Sequence, residues 1–445
     1  MNKSAKWVQL ATSATLLTAL VFPTAALAAA PTTQPIAVLA PAKLAATAQA
    51  EWSSYVKQQY GITFAKTVTR DEFVKALAKV GESTASIAEK EAAAKSFLPA
   101  AKAGATKLVA WEAIGAAVKA AELKELAYTY KEEKVAASLK QAGIIFKKEG
   151  ALPLSSAQEL AVALDTGLVN ANTLSALTAE GEVTADLAYQ LVAKVAEFHG
   201  EYKNYLGTIS EDGIYRKLAK AWSESQIIKA GALQDLVDKG LKQNLITGYN
   251  LKDAAFDPHF DPERTITYGH SDIVHAIQLI GLLKSEGIDA KVQFEPKTSA
   301  FIYLKEWGEP VQTDDYQVVQ IENGNFIAYA KEYDLSFEFA SVEEKKRFQP
   351  LVLQYAKKDN EDMTGLLKGS WWQPLYHSRT ELAEYPVITN NVLKQSRFVV
   401  QSFSLNDQSA KVVEGFKKLD SKADVETYKF WVDQPFYNYL IGEYK

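Results

Sequence analysis

The sequence predicts a multidomain chain: an all-α N-terminal repeat domain followed by a C-terminal α+β domain with a buried central helix and an antiparallel sheet. Three observations predict it. Residues 49–200 are alanine-rich, with short Gly- and Pro-marked breaks between helical apolar stripes. Near residue 251 the composition shifts to strand-like runs. Within the C-terminal half, Ile273–Leu283 is apolar on nearly every face, the pattern of a buried helix.

The chain has 445 residues, enough for two or three domains. It is 47% hydrophobic and 23% charged, as globular proteins are. The net charge of −5 and the lack of a basic stripe speak against nucleic acid as a partner. Lys3 and Lys6, the apolar stretch Trp7–Phe22 and the small-residue site Ala26-Leu27-Ala28 read as a secretory signal over 1–28. No membrane span is expected once that signal is removed. There is no cysteine, which rules out disulfides, zinc–thiolate sites and thiol nucleophiles. Exported proteins of Gram-positive bacteria often share this lack, so the expected home is the cell wall or surface of such an organism.

Residues 29–48, rich in Ala, Pro and Thr, read as an extended linker. The helical domain follows over 49–200. Four phrases in it share one form: a hydroxyl or small residue, an acid or amide soon after, then an apolar stripe. They begin at Thr69-Arg70-Asp71-Glu72-Phe73, Val109-Ala110-Trp111-Glu112, Ser155-Ser156-Ala157-Gln158-Glu159 and Val183-Thr184-Ala185-Asp186. Thr69 is an expected N-cap, and Asp71 and Glu72 complement the helix dipole.

The run Tyr60-Gly61-Ile62, continued by Val68-Thr-Arg-Asp-Glu-Phe-Val-Lys-Ala-Leu77, resembles the S-layer homology (SLH) domain. That resemblance implies an SLH-like repeat fold and non-covalent binding of anionic, pyruvylated secondary cell-wall polysaccharide. It implies that Arg70 contacts the acidic sugar, that Thr69 and Glu72 shape the loop, and that Trp52 is the aromatic early in the module. An Arg beside a helix N-terminus is a sound anion site. The other three copies carry Ala110, Ala157 and Ala185 near that place, so recognition would rest on one pocket and lack avidity.

Residues 201–250 keep a helical period and read as a bridge between domains. In 251–445, strands are expected at Lys291–Glu295, Ser299–Leu304, Tyr316–Ile321, Phe326–Tyr329 (after an Asn323-Gly324 hairpin turn) and Ser336–Phe339, and a helix at Val342–Lys357. The stretch from Asp272 through Ala276, Leu282-Leu283 and Gly287-Ile288 to Val292 resembles the core helix of transglutaminase-like (papain-fold) proteins, over about 265–340. Asp272 stands at the family's Cys and Ser299 at its His. A carboxylate does not replace an imidazole-activated thiolate. The resemblance therefore implies an inactive relative, with Asp272, His275 and Ser299 as its pseudo-active site.

Three further groups could carry chemistry. His259, His270 and His275 lie near Asp257, Asp261 and Asp272, but His270 and His275 are five apart and do not share a helix face, so loop-ordering and capping roles are favoured over a metal site. Glu295, Glu306, Glu332, Asp334 and Glu338 could supply paired carboxylates. Trp371, Trp372 and Tyr376 form the densest aromatic–polar phrase, suited to ligand stacking or to core packing. No cofactor is implied. The combined expectation is a secreted, non-catalytic cell-surface protein whose C-terminal domain binds or scaffolds. The alternative is a cell-wall or polysaccharide hydrolase using C-terminal carboxylates.

Overall fold

The structure, a computed structural model, describes residues 41–81, 85–100, 106–147, 152–176, 181–303, 308–321, 324–355 and 375–443. It divides into two compact units, Met1–Ala46 and Thr47–Lys445. The expected signal segment and residues 29–40 of the expected linker lie outside the described residues. Helix α1 (Pro41–Tyr60) corrects the rest of the linker: residues 41–48 are helical rather than extended. Pro41 suits this, because proline is pre-organised for a first helical position.

Helices α2 (Arg70–Leu77), α3 (Ile87–Ser96), α4 (Ala110–Ala120), α5 (Lys124–Tyr128), α6 (Glu132–Lys140), α7 (Leu154–Asp165), α8 (Ala171–Ala176) and α9 (Ala185–Phe198) follow. They bury one apolar core that includes Phe73, Leu77, Ile114, Val118, Leu191 and Val195. Thr69 caps α2 in a reciprocal capping box with Glu72. Three of the four repeated helix starts are laced together by β-bridges: Thr67 with Thr184, Thr69 with Lys107, and Val109 with Glu182. The backbone N–H of Val68 donates to the Val183 carbonyl at 2.9 Å, and that of Val183 to the Leu108 carbonyl at 3.2 Å. Val68, Leu108 and Val183 are buried at the knot. The fourth start lies in α7, which packs on α4 where Gly115 leaves room. A Cβ on Gly115 would stand 2.3 Å from Glu159 Oε2.

The C-terminal half differs from the expected α+β domain. Its strands are β1 (Gly207–Thr208), β2 (Gly248–Asp253), β3 (Thr265–His270), β4 (Ala290–Tyr303), β5 (Tyr316–Gln320), β6 (Phe326–Phe339), β7 (Tyr376–Ser378), β8 (Val387–Gln395), β9 (Phe398–Ser404) and β10 (Val425–Val432). Eight close into an antiparallel barrel in the order β4-β2-β9-β8-β10-β7-β3-β6, with β6 returning to β4. The two remaining strands flank it, β1 on β4 and β5 on β6. Two pairs of expected strands each fuse into one long strand, β4 and β6. Pro296 survives inside β4 because it falls between the stretches paired with β1 and β2, where no N–H is required on that edge.

The barrel also reverses the expected layering. The outward residues Val292, Phe294, Tyr333, Leu335 and Phe337 are apolar and pack under α10 (Ile214–Glu224), α12 (Ile273–Ser285) and α13 (Val342–Tyr355). Leu251, Leu393 and Val400 pack under α11 (Gly231–Lys242) and α14 (Ser409–Leu419). The helix expected at the centre, α12, thus lies on the outer wall, with Leu279, Ile280 and Leu283 buried and Val274 49% exposed. Residues 201–250, read as a bridge, supply β1, α10, α11 and the start of β2, so α10 and α11 clothe the barrel. Helix α15 (Gln434–Ile441) closes one barrel end, where Phe436 meets Phe403 edge-on at 5.5 Å. From Thr47 onward, α1 lies across the other end. Its Gln58 donates to Asp261 at 2.8 Å, and its Glu51 pairs with Lys291 at 2.7 Å.

Candidate functional site

Strand alternation puts one set of side chains inside the barrel, and here that set is polar. On adjacent strands β4 and β6, Glu295 stands directly opposite Asp334. Two like charges so placed repel, and Lys252 of β2 lies between them. Its Nζ is 2.5 Å from Asp334 Oδ2 and 3.2 Å from Glu295 Oε2. Lys297 takes the other Asp334 oxygen at 2.5 Å. Glu295 Oε1 accepts from Ser336 Oγ at 2.7 Å, and Ser336 meets Thr267 Oγ1 at 3.0 Å. Farther along the barrel, Ser299 donates to Glu332 at 2.5 Å.

Buried charges persist only when paired, and these follow that rule. Burial pushes Lys252 down, but Asp334 and Glu295 outweigh it and hold the ammonium above its ordinary range. Burial would raise Asp334; Lys252 and Lys297 outweigh it and hold the carboxyl well below the usual range. Glu295 is raised, by burial and by Asp334, against the pull of Lys252. His377 of β7 is pushed down to about 3 by burial, so it is neutral at neutral pH although Asp334 lies 3.9 Å away.

Above this ion cluster a cavity of about 440 Å³ opens at the α1 end of the barrel. Its rim is formed by Tyr55, Gln58 and Gln59 of α1 and by the 257–262 loop. His259 on that loop holds a left-handed φ of 50°, an uncommon conformation for a side-chain-bearing residue. It is fixed there by Asp257, which accepts from its N–H at 2.8 Å, and by Gln59 at its Nδ1. The wall descends through Thr267, Ser336, Gln401 and Tyr428 to Lys252, Glu295 and His377. The volume falls within the roughly 300–1,000 Å³ of small-molecule sites.

The residues expected from sequence are dispersed. Arg70 is engaged inside the helical part: its guanidinium bonds to Glu112 and to the Pro99 carbonyl, and its side chain is 13% exposed. Thr69 and Glu72 serve the helix cap. Trp52 lies half-buried against the helical core. Tyr376 is buried on the outer wall between Tyr268 and Phe348, with centroids at 5.0 and 5.6 Å, a packing position. Trp371, Trp372, Glu306 and Asn323 lie outside the described residues.

Asp272 caps α12 by accepting from the Val274 N–H at 2.9 Å, outside the barrel. The His275 ring lies tilted against that of His270, with centroids 4.4 Å apart. Ser299 faces the interior, bonded to Asn250 at 2.8 Å. Asp272 and His275 thus lie 4.0 Å apart at the start of α12, while Ser299 faces the barrel interior, so the three pseudo-active-site positions do not form one site. His259 at the mouth is separated from His270 by the length of β3. Among the described residues, no group of three or more His, Asp or Glu is placed to hold a metal ion. Glu338, another of the expected carboxylates, binds Lys203 at 2.8 Å and belongs to the α1 contact.

Sequence reasoning misses Lys252, Lys297, His377, Gln401 and Tyr428. Their signal is present as polar residues alternating with apolar ones, but alternation does not say which face is inside. Among the described residues no helix is long and apolar enough to cross a membrane. No family model, curated protein or solved structure matches this chain.

Proposed function

We propose that this is an exported cell-surface binding protein of a Gram-positive bacterium, with its ligand site in the barrel-mouth cavity and its helical part associated with secondary cell-wall polysaccharide. One observation carries the binding role: a polar cavity runs into the closed barrel, and the charged groups at its floor are committed to one another. Committed charges are poorly placed for proton transfer and well placed to hold a wall of fixed shape. The signal-like N-terminus, the lack of cysteine and the Val68–Leu77 motif support the surface location. The bridged starts of α2, α4 and α9 support a repeat architecture of the SLH kind. Because Glu112 already occupies Arg70, wall polymer must compete for that guanidinium, and the association is weak. Sedimentation of the full secreted chain with purified sacculi tests it. Co-sedimentation that is lost on acid extraction of the wall polysaccharide is expected; no co-sedimentation removes the wall role.

A second reading, hydrolysis by carboxylates, has one observation in its favour. Glu295 and Asp334 are cross-strand neighbours with acidities pushed apart, as an acid and its partner would be. Release of reducing sugar from wall polysaccharide, abolished by Glu295→Gln, would establish it.

A further inference from the structure

The hydrogen-bonding pattern of the barrel-mouth cavity specifies a class of ligand, given the proposed role of that cavity as the binding site. Two acceptors meet around Tyr428. Asn390 donates through Nδ2 to the Tyr428 hydroxyl at 2.8 Å, and Gln401 donates through Nε2 to it at 3.3 Å. Their carbonyl oxygens, Asn390 Oδ1 and Gln401 Oε1, are buried and have no hydrogen-bond partner among the described residues. The Tyr428 hydroxyl receives two bonds, so its own proton remains to be donated. A buried unmade bond costs about 1–3 kcal/mol, and such groups call for an explanation.

One patch thus offers unused acceptors beside an unused donor. A carboxylate or phosphate supplies acceptors only, and an ammonium supplies donors only; an alcohol supplies both. The two lysines at the cavity wall already carry their counter-charge. Lys252 is paired with Asp334 and Glu295. Lys394 is paired with Glu426 at 2.8 Å, and Arg379 lies 4.6 Å from the Tyr428 ring centroid. Thr267 and Ser336 add hydroxyls, and Phe430 adds an aromatic face against which the C–H edge of a pyranose can pack.

We infer that the cavity binds a neutral polyhydroxylated molecule, a mono- or disaccharide, with its hydroxyls paired to Gln401 and Tyr428 of the cavity wall. The test is calorimetric titration of the full chain with glucose, cellobiose and N-acetylglucosamine, and with glucose 6-phosphate and glucosamine as charged counterparts. Gln401→Leu removes an acceptor and a donor; Tyr428→Phe removes one hydroxyl and preserves shape, so it reports even if the first variant does not fold. Saturable binding of a neutral sugar, weakened roughly tenfold or more by either variant, is the expected result. Binding of the charged counterparts alone, weakened by the same variants, would keep the cavity as the site and overturn the neutral class. Absence of binding by every probe, or binding untouched by both variants, would overturn the class and the cavity assignment together.

Discussion

Lys252 and Asp334 meet at 2.5 Å inside the barrel, with neither side chain in contact with bulk water to any large extent. Asp334 also holds Lys297, so one carboxylate contacts two ammonium groups from two neighbouring strands. Removing one member of a buried pair leaves an uncompensated charge, which costs about 3–5 kcal/mol. Asp334→Asn strands Lys297 and leaves Lys252 only the longer contact to Glu295, whereas Lys252→Met leaves Asp334 with Lys297 and Glu295 with its Ser336 hydrogen bond. The expectation is that Asp334→Asn is the more destabilising, measured as the shift in urea midpoint at unchanged slope. Equal effects would contradict the shared-carboxylate arrangement.

His377 gives the barrel a pH signature. Its folded pKa, about 3, lies below the ordinary 6.5, so the unfolded chain binds the extra proton first. Its contribution is fully present above pH 6.5 and is lost as pH falls toward 3. One proton sets a limiting slope of about 1.4 kcal/mol per pH unit. Between pH 6.5 and 5 most carboxylates remain ionised, so His377→Asn should flatten that arm of the stability curve. Denaturant titrations at pH 7, 6 and 5 read the difference.

Tyr376 separates packing from binding. Its hydroxyl is buried and makes no hydrogen bond among the described residues, while its ring contacts Phe348 and Tyr268. Tyr376→Phe is expected to be neutral or stabilising, since it deletes only the unpaired oxygen. Tyr376→Ala is expected to cost about 3–5 kcal/mol, as for a large aromatic in a core. Neither change should alter sugar binding by a well-folded sample in calorimetric titration.

Glu112 restrains Arg70, so releasing it should strengthen the wall association. Glu112→Gln keeps the side-chain shape and removes the competing charge from the guanidinium. Co-sedimentation with sacculi is expected to rise several-fold at low salt and to fall back as salt screens the contact. Reduced co-sedimentation in a folded variant would show that the ion pair itself, rather than a freed Arg70, serves the wall.

Helix starts are legible where local chemistry decides them. Thr69 with Glu72 forms the capping box that its spacing foretells, and Thr184 caps α9 by accepting from the Leu187 N–H. The barrel is not legible, for a specific reason. In Lys331-Glu332-Tyr333-Asp334 three of four residues are charged, and the expected strands stop at Tyr329 and resume only at Ser336. In β6 they form one continuous strand, with Glu332 and Asp334 facing a polar interior and Tyr333 facing the helices. Closure itself depends on pairs far apart in sequence, such as Asn250 with Gln401, which no local pattern encodes. The cavity shares that limit, since Lys252, Glu295, His377 and Gln401 come from four separate strands.

The pairing of β2 with β9 also sets an order of assembly. Asn250 waits for Gln401, so the ring stays open until the last third of the chain is present. Contacts of such sequence separation are slow to form. A chain ending before β8 would leave β2 without β9 and β7 without β10, each bare edge a template for pairing with another molecule. Completing the C-terminal strands is therefore the event that turns an adhesive intermediate into a self-contained barrel.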